Sequence, residues 1–326
     1  EEKLLPYVWN NDASPQTLVS DIMNVSEVAP QLVAGFENRV RAFVQVQQGC
    51  DHRCTFCIIP FARGNSRSIP IGKLVEQTQM LIDNGYKEIV LTGVDLTSYG
   101  SDLPGQPSLG NMVGRLLKHV PDLKRLRLSS LDPVEIDADL LKLIGNEQRL
   151  MPHLHLSIQA GDDMILKRMK RRHLRKDVID IAKQLRDIRP DIVLGADLIA
   201  GFPTETDTMF KQSLNLISEI ELVHLHVFPY SAREGTPAAK MPQVPQAIRK
   251  SRAAILRKAG QNMLHQYLNS CIGRSERVLV EKDSVGRTEH FIPMNVKNST
   301  GPGEIINATV TSATMTELHG SYERQS

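Results

Sequence analysis

From Arg41 onward the chain alternates short apolar runs with longer stretches in which apolar residues recur every three or four positions. The short runs at 41–46, 88–93, 123–129, 153–159, within 191–203, and at 222–231 read as strands. The longer stretches at 71–86, 109–120, 137–145 and 204–220 read as helices, and the segment after 159 reads as helical through 186. In the first helix Leu74, Thr78, Leu81 and Ile82 share one face and Gly85 supplies the C-cap. Thr204 and Asp207 read as the N-cap and acidic partner of the last of these helices.

Six strand–helix units in succession imply parallel strands with helices outside. A closed barrel of this type needs about eight units. The expected fold class is therefore α/β, an open partial (β/α)6 TIM-like barrel. Chemistry in such folds sits at the carboxyl ends of the strands. Cys50, Gly93, Ser129, Gln159, Gly201 and Tyr230 all follow strand signals and are expected to meet at one mouth. Residues 233–246 are rich in Pro and Gly and read as a loop, and 247–270 as one long basic helix. From Gly273 the runs become short and alternating, the pattern of a small all-β barrel, expected to have five strands. The expected domains are 37–270 and 271–326, preceded by 1–36, which carries no periodic element and reads as a tail or the stub of something larger.

Composition narrows the class. Of 326 residues, 41% are hydrophobic and 23% charged, ordinary values for a soluble globular chain. No apolar run approaches the ~20 residues of a membrane helix, and no signal peptide is visible. The chain starts at Glu1 rather than Met, so part of the protein is expected to precede it. The net charge is only +2, which confines any nucleic-acid affinity to local patches. Three of the four cysteines sit in one motif, CDHRCTFC, which argues against a disulfide scaffold and for an intracellular, cytoplasmic protein with a dedicated cysteine site.

Cys50, Cys54 and Cys57 are spaced Cys-x3-Cys-x2-Cys. Zinc would need His52 as a fourth ligand, crowded between two of the cysteines. A redox dithiol at Cys54–Cys57 would leave Cys50 idle. An iron–sulfur cluster fits best. A cubane normally takes one thiolate per iron, so three thiolates leave one iron open to a chelating cofactor.

The motif after the first strand of a partial barrel resembles that of the radical S-adenosylmethionine (SAM) enzymes. That resemblance implies a 4Fe–4S cluster on Cys50, Cys54 and Cys57, SAM chelated to the open iron, and one-electron cleavage to a 5′-deoxyadenosyl radical. Phe56 matches the aromatic position that lies against adenine. The longer stretches GCDHRCTFCIIPFARGNSRS, LTGVDLTSYG, RLRLSSLDP, HLHLSIQAGDDMILKRMKRR, GADLIAGFPTET and HVFPYSAREGTPA are similar to the methylthiotransferase family, from about Arg41 to the end. The β domain then resembles the family's TRAM domain, an RNA-binding barrel, and 1–36 the end of its N-terminal domain and linker. HLHLSIQAGDD and PFARGNSRS look closest to the branch that methylthiolates N6-threonylcarbamoyladenosine beside the tRNA anticodon. A branch acting on isopentenyladenosine and one acting on a ribosomal-protein aspartate remain open. So does a rival outside the family, a non-catalytic RNA-binding protein with a structural metal.

By the same resemblance, Gly93 and Asp95 face the methionine end of SAM. Ser129, Gln159 and Asp197, on or after later strands, are candidates for its ribose or carboxylate. The partners implied are a tRNA anticodon stem-loop and a reductant such as flavodoxin or ferredoxin. Arg63, Arg67 and Arg233 lie on loops at the cysteine end, and Lys170, Arg171 and Arg172 belong to a run of seven basic residues in eleven; these are the candidate RNA contacts. A second basic stripe, Arg249 to Lys258, reads as a solvated helix face. His224 and His226 point to one face of a strand and read as core pairing. Cys271 reads as a plain buried residue. Full-length relatives hold a second 4Fe–4S cluster on three further cysteines; none precedes Cys50 here, so that cluster is expected only in a longer protein.

Overall fold

The computed structural model describes residues 22–25 and 39–322. Apart from the short 3₁₀ turn Ile22–Asn24, the expected remnant 1–36 lies outside the described residues.

The elements run β1 (Arg41–Gln45), β2 (Gln47–Gln48), α1 (Ile59–Arg63), β3 (Arg67–Ser68), α2 (Ile71–Asp83), β4 (Glu88–Thr92), α3 (Leu109–His119), β5 (Arg125–Leu128) and β6 (Ser130–Leu131). There follow α4 (Ala138–Asn146), β7 (His153–Gln159), α5 (Asp163–Met169), α6 (Arg175–Ile188), β8 (Val193–Ala200), α7 (Asp207–Glu219), β9 (Leu222–Pro229) and α8 (Gln246–Ser270). Strands β1, β4 and β5 form one parallel sheet, and β6, β7, β8 and β9 another. Only Ser129 separates β5 from β6, so the two sheets make one array of six strands in chain order, interrupted at that residue. Among the described residues β9 does not pair with β1, and the barrel stays open.

The two faces of these strands differ. Val44, Leu91, Leu126, Leu156 and Leu194 pack outward against helix residues such as Leu74, Leu116, Leu140, Val178 and Leu216 in one continuous core. The side chains that alternate with them point into the lumen, and many are polar: Arg41, Glu88, Arg125, Arg127, His153, His155, Asp197, His224 and His226.

The C-terminal domain explains part of that polarity. Strands β10 (Ser275–Lys282), β11 (Val285–Thr288), β12 (Pro293–Lys297), β13 (Ile305–Ala313) and β14 (Leu318–Ser321) close into a five-stranded barrel. Val278, Val280, Met294, Val296, Ile306 and Leu318 fill its core, and the buried Cys271 joins them. The turn between β11 and β12 plugs the amino-terminal end of the larger barrel. Phe291 stacks on His153 with ring centroids 5.6 Å apart, and the guanidinium groups of Arg127 and Arg287 lie 4.9 and 4.4 Å from its centre. Arg125 donates to the carbonyls of Arg277 (2.8 Å) and Arg287 (3.2 Å), and Arg127 to that of Glu289 (3.0 Å).

Several expectations are corrected. The helix from 204 starts later, with Thr206 as N-cap accepting from the Met209 amide. Thr204 is held out of helical geometry at φ +68°, and the Glu205 side chain turns back to accept from the Gly201 amide. The helical segment after Gln159 is two helices, broken where Lys170 takes a left-handed conformation (φ +61°). The basic stripe on α8 is not simply solvated. Arg252 is buried against Glu205 and Asp207, while Arg249 and Arg257 donate to the carbonyls of Tyr230 and Val227. Three of its cations thus fix α8 to the barrel. His224 and His226 do share a face, yet each has its own partner: His224 Nε2 lies 3.0 Å from the His290 carbonyl and His226 Nδ1 3.2 Å from Asp197. No helix among the described residues is long and apolar enough to cross a membrane.

Candidate active site

The cysteine loop is tied at both ends before any ligand binds. Gly49 takes φ +75°, and a Cβ there would come within 1.9 Å of the Asn65 carbonyl oxygen, so only glycine permits this approach. The Cys50 amide donates to the Gly64 carbonyl (3.0 Å), and the Ser66 amide to Asp51 (3.0 Å). The buried Gln47 side chain donates to the Gly49 carbonyl (2.8 Å) and accepts from the Asp95 amide (2.9 Å), coupling the loop after β1 to the loop after β4. At the far end the Thr55 amide and hydroxyl donate to the Met169 and Arg168 carbonyls, and the Ala238 amide donates to the Thr55 carbonyl.

Cys50, Cys54 and Cys57 line a pocket of about 160 Å³ at the carboxyl ends of the strands. Polar residues Asp95, Ser130, Asp132, Ser157, Gln159 and Arg171 line it too, together with His52 and Phe56 from the cysteine loop, Ile59 and Val94. The thiols differ electrostatically. Burial pushes Cys50 up to about 12, and the Asp95 carboxylate 3.6 Å away adds to the effect. Burial acts against ionisation of Cys54 as well, but hydrogen bonds from His52 and Arg171 outweigh it and hold that thiol below its ordinary value. Burial raises Cys57, partly offset by the Ile59 amide, which donates to its sulfur at 3.4 Å. Bound metal would deprotonate all three outright.

This donor set fits a 4Fe–4S cluster and SAM. Three thiols line one pocket with acidic, amide and guanidinium groups, and two N–H donors, from Ile59 and Arg171, point at sulfur. The Ser129 hydroxyl beside the pocket is buried with no hydrogen-bond partner among the described residues. Gln159 closes β7 at φ +70°, a strained conformation for a non-glycine residue and one that concentrates at functional sites.

The structure brings together Cys50, Cys54, Cys57, Phe56, Asp95 and Gln159. Phe56 is also fixed edge-on against Phe202, centroids 6.3 Å apart. Gly93 and Ser129 adjoin the pocket without lining it. Asp197 is not at the pocket: it stands lower in the lumen between His155 and His226. Arg171, expected as an RNA contact, is a pocket residue that bonds Asp132 (2.8 Å) and the Ser157 carbonyl (2.7 Å), with Nη1 3.8 Å from Cys54 Sγ. Arg67 is buried and donates to the carbonyls of Val25 and Arg63, so it presents nothing to a phosphate. Arg63, Lys170, Arg172 and Arg233 are exposed, and Arg172 pairs with Glu135 at the rim. Sequence reasoning missed Asp132, Ser130 and Ser157. The sequence offers a weak signal for Asp132, an acid three residues past the strand signal that ends at Ser129, and the structure extends that strand as β6 up to Leu131.

A sequence profile of the Radical SAM superfamily matches residues 44–217. The chain is 55% identical over 308 residues to the threonylcarbamoyladenosine tRNA methylthiotransferase MtaB of Rickettsia prowazekii, covering 94% of this chain and 73% of that protein. It is 36% identical over 291 residues to the tRNA-2-methylthio-N(6)-dimethylallyladenosine synthase of Rickettsia rickettsii, covering 86% of this chain and 65% of that protein. Among solved structures, coproporphyrinogen III oxidase (HemN) of Escherichia coli superposes with a TM-score of 0.51 at 18% identity, over 71% of this chain and 55% of that one, a likeness of fold.

Proposed function

Because the chain belongs to the Radical SAM superfamily, and within it to the methylthiotransferases, we propose that it methylthiolates carbon 2 of N6-threonylcarbamoyladenosine beside the anticodon of tRNA, in the cytoplasm. The observation that carries the choice of substrate is the higher identity to the threonylcarbamoyladenosine relative, 55% against 36% for the dimethylallyladenosine relative, over nearly the same span.

In this reading Cys50, Cys54 and Cys57 hold a 4Fe–4S cluster, and Phe56, Asp95, Gln159 and Arg171 hold SAM. When bound, the cluster and SAM supply one-electron radical chemistry. The chain's own residues orient and protect it. Gln47 locks the Asp95 loop to the cysteine loop. Arg171 faces Cys54 on one side and Asp132 on the other, giving the pocket a fixed cation for a carboxylate. The target base must leave the loop stack to enter the barrel mouth, a cost that is small in a single-stranded loop. Arg63, Lys170, Arg172 and Arg233 around that mouth, with the TRAM-like barrel of 271–326, would grip phosphates, which carries affinity rather than base identity. Three of the four cysteines are thus used, and Cys271 is 1% exposed. A second cluster for sulfur delivery therefore needs cysteines beyond these four. The electron comes from a flavodoxin- or ferredoxin-like reductant.

The test joins this chain to the amino-terminal segment of its longer relatives and offers it two anticodon stem-loops. The threonylcarbamoyl group is anionic and the isopentenyl group apolar, and a site built for a polar group strongly rejects an analogue lacking it. We expect a preference of at least ~100-fold for the threonylcarbamoyl substrate. Faster turnover of the isopentenyl stem-loop would overturn the assignment.

A further inference from the structure

The lumen holds a second group of metal-type ligands that the radical site does not use. His155 on β7, Asp197 on β8 and His226 on β9 come from three adjacent strands, and their ligand atoms all lie within 4.8 Å of one another. His155 Nε2 is 3.0 Å and His226 Nδ1 3.2 Å from the same oxygen, Asp197 Oδ1. The two rings face each other at 4.7 Å between centroids, tilted by 32°.

We propose that His155, Asp197 and His226 form a binding site for a divalent first-row transition metal, a two-histidine, one-carboxylate set with open positions toward the lumen.

Metal–nitrogen and metal–oxygen bonds of about 2.0–2.2 Å place neighbouring ligand atoms about 3.0 Å apart at a right angle and about 3.4 Å apart in a tetrahedron. Both observed nitrogen–oxygen separations fall in that interval. The third edge, between the two imidazoles, closes by rotation of His226, whose side chain is 64% exposed. The frame is rigid where it must be. Asp197 and His226 are register partners across the β8–β9 ladder, and His155 is buried. Room for its ring is made by Gly195, where a Cβ would stand 2.7 Å from His155 Nδ1. The partly exposed Asp197 and His226 supply the entry path a metal needs. Two histidines and one carboxylate with open positions are a ligand set suited to divalent iron and its neighbours. The site also has a defined place. Ser157 lies two residues beyond His155 on the same face of β7 and lines the cysteine pocket, so the metal sits about one side-chain layer, ~7 Å, beneath that pocket. Water or an anionic oxygen ligand would complete its shell.

A hydrogen-bonded trio without metal is the competing account, and the two predict different stoichiometries. The full chain, with its 4Fe–4S cluster reconstituted so that the cysteines are occupied, is equilibrated with Zn²⁺ and dialysed, and zinc and iron per chain are measured. Wild type is expected to retain one zinc while keeping its iron. Asp197→Asn and His226→Gln should each weaken zinc retention by at least ~10-fold, since removing a ligand costs no less than disturbing an outer-shell partner, again with iron unchanged. His226→Gln is the safer variant because the residue is exposed. His52→Gln tests the other candidate group, Cys50, His52 and Asp95, and should leave zinc in place. The proposal is wrong if wild type retains no zinc, if His226→Gln and Asp197→Asn retain as much as wild type, or if zinc is lost only in His52→Gln.

Discussion

Replacing any one of Cys50, Cys54 or Cys57 with alanine should abolish the iron–sulfur chromophore and the release of 5′-deoxyadenosine from SAM, while Cys271→Ala leaves both intact. The reason is stoichiometric. Three thiolates are the fewest that hold a cubane with one iron left open, and no further cysteine is near enough to substitute. Cys271 lies in the core of the C-terminal barrel, on the far side of the plugged lumen from the pocket. The fold should survive the loss, because the loop is tied by the backbone of Cys50 and Thr55, the Thr55 hydroxyl and the Asp51 carboxylate rather than by its sulfurs. Iron per chain after anaerobic reconstitution, and 5′-deoxyadenosine after dithionite and SAM, are the measurements. A drop of at least ~1000-fold in cleavage is expected for each of the three, the scale of losing an essential catalytic group. Full iron in Cys54→Ala, or loss of iron in Cys271→Ala, would refute the assignment.

Much of this site is legible in the sequence for a physical reason. A parallel strand buried outward against helices must carry apolar residues at alternate positions, and its carboxyl end must stop at a turn residue. Cys50, Gly93, Ser129 and Gln159 could therefore be placed at one mouth from periodicity alone. What the period does not reveal is how far along a strand a residue sits. Asp197 carries the right alternation but stands below the pocket, because β8 runs on to Ala200 before it turns. Charge misleads for a related reason. In the run Lys167–Lys176, Arg168 is held at Thr204, Arg171 at Asp132 and Arg175 at Glu219, so a basic stretch that reads as a phosphate surface is partly internal structure. The plug at the amino-terminal end was invisible for a third reason. Phe291 and the lumen residues it meets are separated by more than sixty positions at the nearest, His224, and nothing local in β11 or β12 signals the pairing.

The plug leads to the largest stability effect we expect. Glu88 is fully buried at the start of β4. Its carboxylate receives the Arg127 Nε and Nη2 donors at 3.1 and 3.2 Å, pairs with Arg41, and lies 3.8 Å from Arg125 Nη1. Arg41 has a second carboxylate in Glu281, so Glu88 is the shared anion of Arg125 and Arg127, which also hold the C-terminal hairpin through its carbonyls. Burial costs Arg125 so much that its pKa falls to about 10 even with Glu88 beside it. Glu88→Ala should destabilise the protein by about 3–5 kcal/mol, the usual result of removing one member of a buried charge network, here leaving the buried Arg125 and Arg127 without their carboxylate while Arg41 keeps Glu281. Glu88→Gln keeps the shape but not the charge and should also be destabilised. Glu76→Ala, at an exposed pair with Lys73 on α2, should change stability by less than ~1 kcal/mol. The pH dependence has a definite sign. Burial pushes the Glu88 carboxyl up, but Arg127 and Arg41 outweigh it, so its folded pKa lies below the ordinary value. Its contribution is complete above the unfolded pKa of about 4.3 and is lost as pH falls through the lower folded value. The stability gap between wild type and Glu88→Gln should therefore be constant from pH 7 down to about 5 and narrow below about 4.3. Guanidinium unfolding curves across that range measure it. A gap that widens on acidification, or that is below ~1 kcal/mol at pH 7, would mean the junction between the two barrels does not depend on this carboxylate.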